Sequence, residues 1–358
     1  MINIYERYLG WSYFKNLFII FIGLVFFYVG VDYLINLKDL PESANLQFLY
    51  LSLNTLWAVN YALPLAIVFA MIVSKFNMIR SNELISLYAS GISKKKILRP
   101  IFIISLISTF IYIGLNFTPF AYAHEYRSNL LKNSQLSLIS EGLFLKYKKS
   151  YVYIQRLDPL KQEARDIKIF NIDGTQIKEI IEAKSAIFKK DAWDLRDGKI
   201  IHKPEVATLF DKGLKIEPFS SKRALEGFKP KIIENAHQGG IALTVKDAVE
   251  ALRFFSKDNI NTDGIKSNLY YLTIFPLFAP FMLVILYYYL PASARFFNLA
   301  LLSFIFIFAT LCVWGILFIL FRLSQTSVVL PEIGMVVPII ILALFGLWLH
   351  TRSDKFFR

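Results

Sequence analysis

Four histidines, one cysteine and one acid within an apolar run are the side chains from which catalysis or metal binding would have to be built. His124, His202, His237 and His350 are scattered, with no H-E-x-x-H or similar ligand spacing, so no metal site is expected. There is no G-x-x-x-x-G-K-[ST] loop to cradle nucleotide phosphates and no G-x-S-x-G nucleophile elbow. No apolar span carries the paired acids that a membrane protease or a proton-coupled carrier needs. Cys312 sits in an apolar run and reads as structural filler. Asp32 lies near the end of the first apolar run, where a functional acid and a snorkelling one are both open readings. The stretch with binding chemistry is Arg80 to Pro100, RSNELISLYASGISKKKILRP, a long polar interruption between two apolar spans. Ser81 or Asn82 suits an N-cap, Glu83 falls in the first turn where negative charge is favoured, and Gly91 suits C′. This spacing predicts a helix of about two and a half turns. Leu84, Leu87 and Tyr88 would share one face, and Glu83, Ser86 or Leu87, and Ser90 another. Such a helix suits docking into another protein's groove; a solvated connector is the plainer alternative.

The elements that position this stretch belong in a bilayer. Of 358 residues, 55% are apolar and 16% aromatic, and mean hydropathy is +0.47. Spans of crossing length, roughly 20 residues each, fall near Phe14 to Ile35, Leu49 to Val73, Ile97 to Pro119, Leu269 to Leu290, Phe296 to Leu320 and Gly334 to Leu349. The first is too long for a signal-peptide core and is followed by no small-residue cleavage site, so a retained helix is expected. Six spans put both termini on one side. Arg7, Lys15, Lys75, Arg80, Lys94, Lys95, Lys96, Arg99, Arg295, Arg352, Lys355 and Arg358 cluster on that side, against Lys38 and Arg322 in the opposite short loops. The positive-inside rule therefore predicts cytoplasmic termini and a cytoplasmic Arg80 to Pro100 loop. The formal charge of +13 is explained by these flanks, so no nucleic-acid partner is expected.

Between spans three and four, Tyr122 to Lys266 mixes 26 Lys plus Arg with 20 Asp plus Glu and reads as a soluble extracytoplasmic domain. Its period is mostly two: Tyr151 to Ile154, Ile167 to Phe170 before a turn signal at Asp173-Gly174, and Ala186 to Phe188 with Trp193 and Leu195 before a second signal at Asp197-Gly198. Short strands between turns predict a β-sandwich or an open β-roll. Thr244 with Asp247 resembles a capping box opening an amphipathic helix, Val245 to Phe255. The expected organisation is 1–121 for three spans with the short helix near 81–91, 122–266 for the β domain with its closing helix, and 267–358 for three further spans.

At Arg80 to Pro100 the chain resembles the cytoplasmic loop of the lipopolysaccharide-export permeases LptF and LptG, which read approximately R-S-E-L-x-x-x-x-A-S-G. The likeness continues through Tyr5-Glu-Arg-Tyr-Leu-Gly10, His124-Glu-Tyr-Arg127, Glu141-Gly-Leu-Phe144, Tyr151-Val-Tyr-Ile154 and Pro276. The amino-terminal stretch and the Tyr-Val-Tyr-Ile strand are more similar to LptG than to LptF. The resemblance implies six transmembrane helices with a periplasmic, jellyroll-like all-β domain between helices 3 and 4. It also implies a permease subunit of an ABC-type exporter of lipopolysaccharide or lipooligosaccharide in the bacterial inner membrane. Such a subunit has no ATPase site of its own and binds no cofactor; ATP and Mg are used by an LptB-like cytoplasmic ATPase dimer. The implied partners are a second, LptF-like permease and LptC-like and LptA-like bridge proteins. By resemblance Glu83, Leu84, Leu87, Tyr88, Ser90 and Gly91 couple to the ATPase.

The sequence departs from that pattern at Asp32, where LptG relatives carry a lysine facing the lipid phosphates. An acid cannot replace that contact by charge, and Lys38, Arg127 and Lys132 are the nearby cations that could supply a lipid-binding rim. Solvated interfacial cations are the alternative for each. Two other function classes stay in view: a multi-span scaffold whose β domain recruits envelope proteins, and an intramembrane lipid-modifying enzyme, for which the catalytic set is missing.

Overall fold

A computed structural model of the chain describes residues 3–133, 140–147, 150–158, 161–173, 176–203, 213–230, 243–255, 261–293, 295 and 298–352. The first half holds α1 (Ile4–Ile35), α2 (Ala44–Arg80), α3 (Glu83–Ala89), α4 (Lys94–Leu115), a 3₁₀ turn at Pro119–Tyr122 and α5 (Ala123–Asn133). Six strands follow: β1 (Ser140–Tyr147), β2 (Ser150–Asp158), β3 (Glu163–Asp173), β4 (Gln176–Lys189), β5 (Ala192–His202) and β6 (Lys215–Ala224). The chain then returns through α6 (Val245–Phe255), α7 (Asp263–Thr273), a 3₁₀ turn at Phe275–Leu277, α8 (Phe278–Tyr289), α9 (Leu299–Gln325), a π turn at Glu332–Val336 and α10 (Val337–Arg352). Among the described residues six helical stretches are long and apolar enough to cross a membrane, Ile4–Ile35, Ala44–Arg80, Lys94–Leu115, Asp263–Tyr289, Leu299–Gln325 and Glu332–Arg352.

The helices outrun the apolar runs that mark them. Helix α1 starts ten residues before Phe14 because Leu9, Gly10 and Tyr13 are buried against the bundle while Glu6, whose carboxylate accepts from the Asn3 N–H at 3.1 Å, supports the first turn. The shared core gathers Met71 and Ile72 of α2, Ile97 of α4 and Phe278 and Leu283 of α8, all buried. The fourth span is broken where Pro276 lacks the N–H that would reach the Leu272 carbonyl. The buried Asn116 Nδ2 at the end of α4 donates to that oxygen instead, at 3.4 Å. Asn116 also accepts from the Val245 N–H at 3.1 Å, which pins the start of α6 to the end of α4. Helix α6 opens on the expected capping box, with Asp247 N–H donating to Thr244 Oγ1 at 3.1 Å and Thr244 N–H donating to Asp247 Oδ2 at 3.2 Å.

The six strands form a single antiparallel sheet in chain order, β1-β2-β3-β4-β5-β6, so the described β residues make an open roll. Alternation buries one face: Val152 and Ile154 of β2, Ile167 and Ile169 of β3, Ile181 and Ala183 of β4, and Trp193 and Leu195 of β5. Trp193 Nε1 donates to the Phe228 carbonyl at 2.6 Å, closing the far end of that core. The Asp173-Gly174 signal falls at the end of β3, with Gly174 outside the described residues. Asp197-Gly198 is not a turn. The β4–β5 reversal lies at Lys190 and Asp191, whose φ of 48° and 63° are the paired left-handed values of a two-residue hairpin loop. Asp197 takes φ 50° inside β5 and kinks it, and Gly198 pairs with both Ala183 and Phe219. A Cβ at 198 would lie 2.3 Å from the Glu182 carbonyl oxygen and 2.3 Å from the Phe219 ring, so the glycine serves a close approach between strands.

Gly198→Ala is therefore expected to destabilise the β domain by about 1–3 kcal/mol, the range for overpacking, whereas Gly213→Ala, with open space around it, should be silent. Limited proteolysis of the full-length protein in detergent reads the difference as early cleavage within the β domain.

Candidate functional site

The acid of the first span is built into a buried cluster. Asp32 lies one turn before the end of α1, where Asn36 closes the helix through its own N–H and side-chain amide, both donating to the Asp32 carbonyl. Tyr50 and Asn54, one turn apart on α2, present one face to it. Tyr50 donates its hydroxyl and Asn54 its Nδ2, the latter at 2.9 Å, to Asp32 Oδ2. Arg127 of α5 donates to Asp32 Oδ1 at 3.0 Å and lies 5.8 Å from the Tyr50 ring centre. Both partners of the ion pair are mostly covered, with side chains 11% and 15% exposed, so the pair is a buried one. Three donors satisfy the carboxylate and join α1, α2 and α5.

Arg127 also lines a neighbouring cavity of about 240 Å³ on the β-domain side of the bundle. Its Nε is buried with no hydrogen-bond partner among the described residues. Arg322 of α9 is a second cation on that cavity, stacked 5.4 Å from the Phe318 ring. The walls are aromatic: Trp57 stacks on His124 at 4.2 Å and Tyr28 stacks on Tyr61 at 5.7 Å. Two guanidinium groups among rings suit an anion carried on an apolar body.

The other end of the bundle holds the short helix. Asn82 is its N-cap residue by backbone position, at φ 58°, and Gly91 ends the turn at φ +76° with its N–H donating to the Tyr88 carbonyl. Leu84 is fully buried in the helix core, and Leu87 and Tyr88 pack on that core. These three therefore anchor α3, and Leu84 offers no surface for a partner. The outward residues are Ile85, Ser86, Ala89 and Ser90. Glu83 accepts a 3.2 Å bond from the Tyr8 hydroxyl of α1. Below it, the buried Lys75 donates to the Tyr287 and Leu290 carbonyls at 2.5 and 2.9 Å, capping the end of α8, while Tyr287 donates to the Lys94 carbonyl at 3.2 Å. Helices α2, α4 and α8 are clamped directly beneath α3.

The structure brings Asp32 and Arg127 together and leaves Lys38 exposed in the turn after α1. Lys132 lies outside the residues with described side chains, and His237, Lys355 and Arg358 lie outside the described residues altogether. Cys312 is exposed on α9 and so fills no core. His202 lies between Glu179 and Glu217 on the sheet, and His350 pairs with the Tyr288 hydroxyl at 2.7 Å. Among the described residues no His, Cys, Asp and Glu gather as a metal site. Sequence reasoning missed Tyr50, Asn54 and Arg322; the signal available was polar residues at i, i+4 within an apolar helix, and a cation at the end of an apolar one.

Six membrane-crossing helices, split three and three by an inserted antiparallel β domain, define a polytopic membrane protein. The chain belongs to the lipopolysaccharide export system permease LptF/LptG family, whose profile matches residues 7–352. It is thus a multi-pass inner-membrane permease subunit for lipopolysaccharide export, and the family description covers LptF and LptG alike. Comparison with curated proteins returns no match.

Asp32→Ala leaves the Arg127 charge buried and unpaired, and is expected to cost about 3–5 kcal/mol. Asp32→Asn combined with Arg127→Gln should recover a large part of that loss, since the double change removes both charges. Thermal unfolding in detergent of wild type, Asp32→Asn, Arg127→Gln and the double variant gives the cycle.

Proposed function

We propose that this chain is one half of an ATP-driven lipid extractor, with its termini and α3 in the cytoplasm and its β domain in the periplasm. Positive flanks on the terminal side support that orientation, and the family match supports the cargo. The observation that carries the coupling role is the seating of α3, held by buried Leu84 and clamped over α2, α4 and α8 while Ile85, Ser86, Ala89 and Ser90 face outward. A helix so anchored moves the spans when a partner moves it. Its partner in this reading is a cytoplasmic ATPase dimer, which uses ATP and Mg; Glu83, Ser90 and Gly91 belong to the contact, and Leu84, Leu87 and Tyr88 hold the contact in place.

Lipopolysaccharide, a phosphorylated lipid, fits the aromatic cavity with Arg127 and Arg322, and a second permease completes the path from the other side. Asp32 in this reading orients Arg127 and does not touch the lipid. Lys38 and Lys132 extend the cationic rim. The cargo then passes to bridge proteins by strand addition at an outer strand of the sheet. Strand β1 is the better edge, because its Phe144 is exposed, whereas β6 carries Pro218 and the Lys215–Glu217 ion pair at 2.5 Å, both of which discourage pairing.

Co-purification with an ATPase, followed by lipopolysaccharide-stimulated ATP turnover in vesicles, tests this reading against the scaffold alternative. Glu83→Gln is expected to reduce ATPase association or lipid release per ATP several-fold while the protein still inserts. Tyr8→Phe removes the same internal hydrogen bond and leaves the carboxylate, so it should behave as wild type. Equal defects in the two variants would assign Glu83 to holding α1 against α3.

A further inference from the structure

On the terminal side of the bundle, α4, α8 and α10 leave a slot of about 480 Å³. That volume lies within the roughly 300–1,000 Å³ typical of small-ligand sites. Its walls are apolar: Phe102 of α4, Phe281 and Val284 of α8, and Ala343, Gly346 and Leu347 of α10. From His350 at the mouth to Ala343 at depth is seven residues of helix, about 10 Å at 1.5 Å per residue. The mouth is basic. Lys95, Lys96 and Arg99 line it from the first turns of α4, with His350 opposite, and no acid lines the slot among the described residues. Glu6 does not line the slot; it shares a second pocket with Arg99, whose Nη1 lies 3.8 Å from the Glu6 carboxylate, so Arg99 is divided between the two.

A slot that is hydrocarbon below and cationic at the interface has the two-part chemistry of a single lipid with a negative headgroup. The three cations stand at the start of α4, the end of the helix dipole where positive charge is disfavoured, and an anion above them offsets that cost. Gly346 lines the slot where α10 packs on α8: a Cβ there meets Val284 and the Phe281 carbonyl at ordinary contact distances of 3.6 and 3.7 Å, so the wall at this point is backbone and a bulky side chain has to displace it or enter the slot.

We propose that this slot holds one acyl chain of an anionic phospholipid whose phosphate lies on Lys95, Lys96 and Arg99. The site is separate from the cavity on Arg127 and Arg322, and it does not depend on which way the protein faces across the membrane.

Native mass spectrometry of the full-length protein, delipidated and titrated with phosphatidylglycerol or phosphatidylcholine of identical chains, tests the assignment. One tightly held phosphatidylglycerol is expected, retained at least about fivefold over phosphatidylcholine, the ratio equivalent to about 1 kcal/mol. The variant Lys95→Gln/Lys96→Gln/Arg99→Gln should lose that preference and keep weak binding of both lipids. Gly346→Phe should lose the bound lipid, and circular dichroism melting of both variants checks that the helices persist. The proposal is overturned if wild type holds the two lipids equally or if the charge variant keeps its preference. It is also overturned if lipopolysaccharide displaces phosphatidylglycerol from these residues. Should Gly346→Phe fail to fold, the charge variant alone decides, because two of its three positions are exposed.

Discussion

A hydrocarbon layer supplies no hydrogen bonds, so every break in a spanning helix has to be answered by the protein itself. That constraint explains the placement of the buried polar residues. Pro276 frees the Leu272 carbonyl, and Asn116 supplies the missing donor from another helix. Beside Pro64 of α2, the Asn60 side chain ties α2 to α4, its Oδ1 accepting from the Tyr112 hydroxyl at 2.6 Å while its Nδ2 donates to the Trp57 carbonyl. The end of α8 would leave bare carbonyls in the core, and Lys75 reaches across from α2 to take two of them. The donors to Leu272 and to the end of α8 each come from a different helix than the carbonyl they meet, so satisfying the backbone also fixes the packing of α2, α4 and α8.

Lys75 and Asp32 obey the same constraint in different ways. Lys75 is paired with helix carbonyls and the face of Tyr287, 4.1 Å from the ring centre, so its charge is met by dipoles alone. Asp32 is met by a full opposite charge and two neutral donors. At the β-domain end a guanidinium has to be held on the wall of a cavity, and a carboxylate on the far side fixes its orientation while leaving Nε unpaired. The buried ion pair is thus better understood as aiming Arg127 than as strengthening the bundle.

Much of the architecture was legible because it rests on local pattern. Six apolar runs gave six crossing helices; Thr244 with Asp247 gave a capping box; Gly91 gave a helix end; alternation from Tyr151 to Ile154 gave a strand. Asp197-Gly198 misled because the same dipeptide that makes a tight turn also suits a kinked strand, and the deciding fact, the Phe219 ring lying over residue 198, is a contact between β5 and β6. Asp32 could be flagged as an odd acid, but its partner is 95 residues away on α5, and no spacing rule reaches that far. Leu84 could be placed on a helix face, yet which face turned inward depended on how α3 folds back over α2.

In the proposed coupling role a seven-residue helix has to carry force. A helix this short is not stable alone, since nucleation costs more than so few bonds return. Here α3 is fixed from outside its own hydrogen bonds: Leu84 is sunk in the core, Leu87 and Tyr88 rest on it, Glu83 is tied to α1 through Tyr8, and α2 and α4 run directly into its two ends. Its outward face carries one exposed aliphatic, Ile85, among the small residues Ser86, Ala89 and Ser90, so a partner can approach the backbone closely. In the proposed coupling role stability and contact fall on opposite faces, and because the inward face packs on the same core as α2, α4 and α8, a push on the outward face would be shared by three spans instead of being absorbed in a loop.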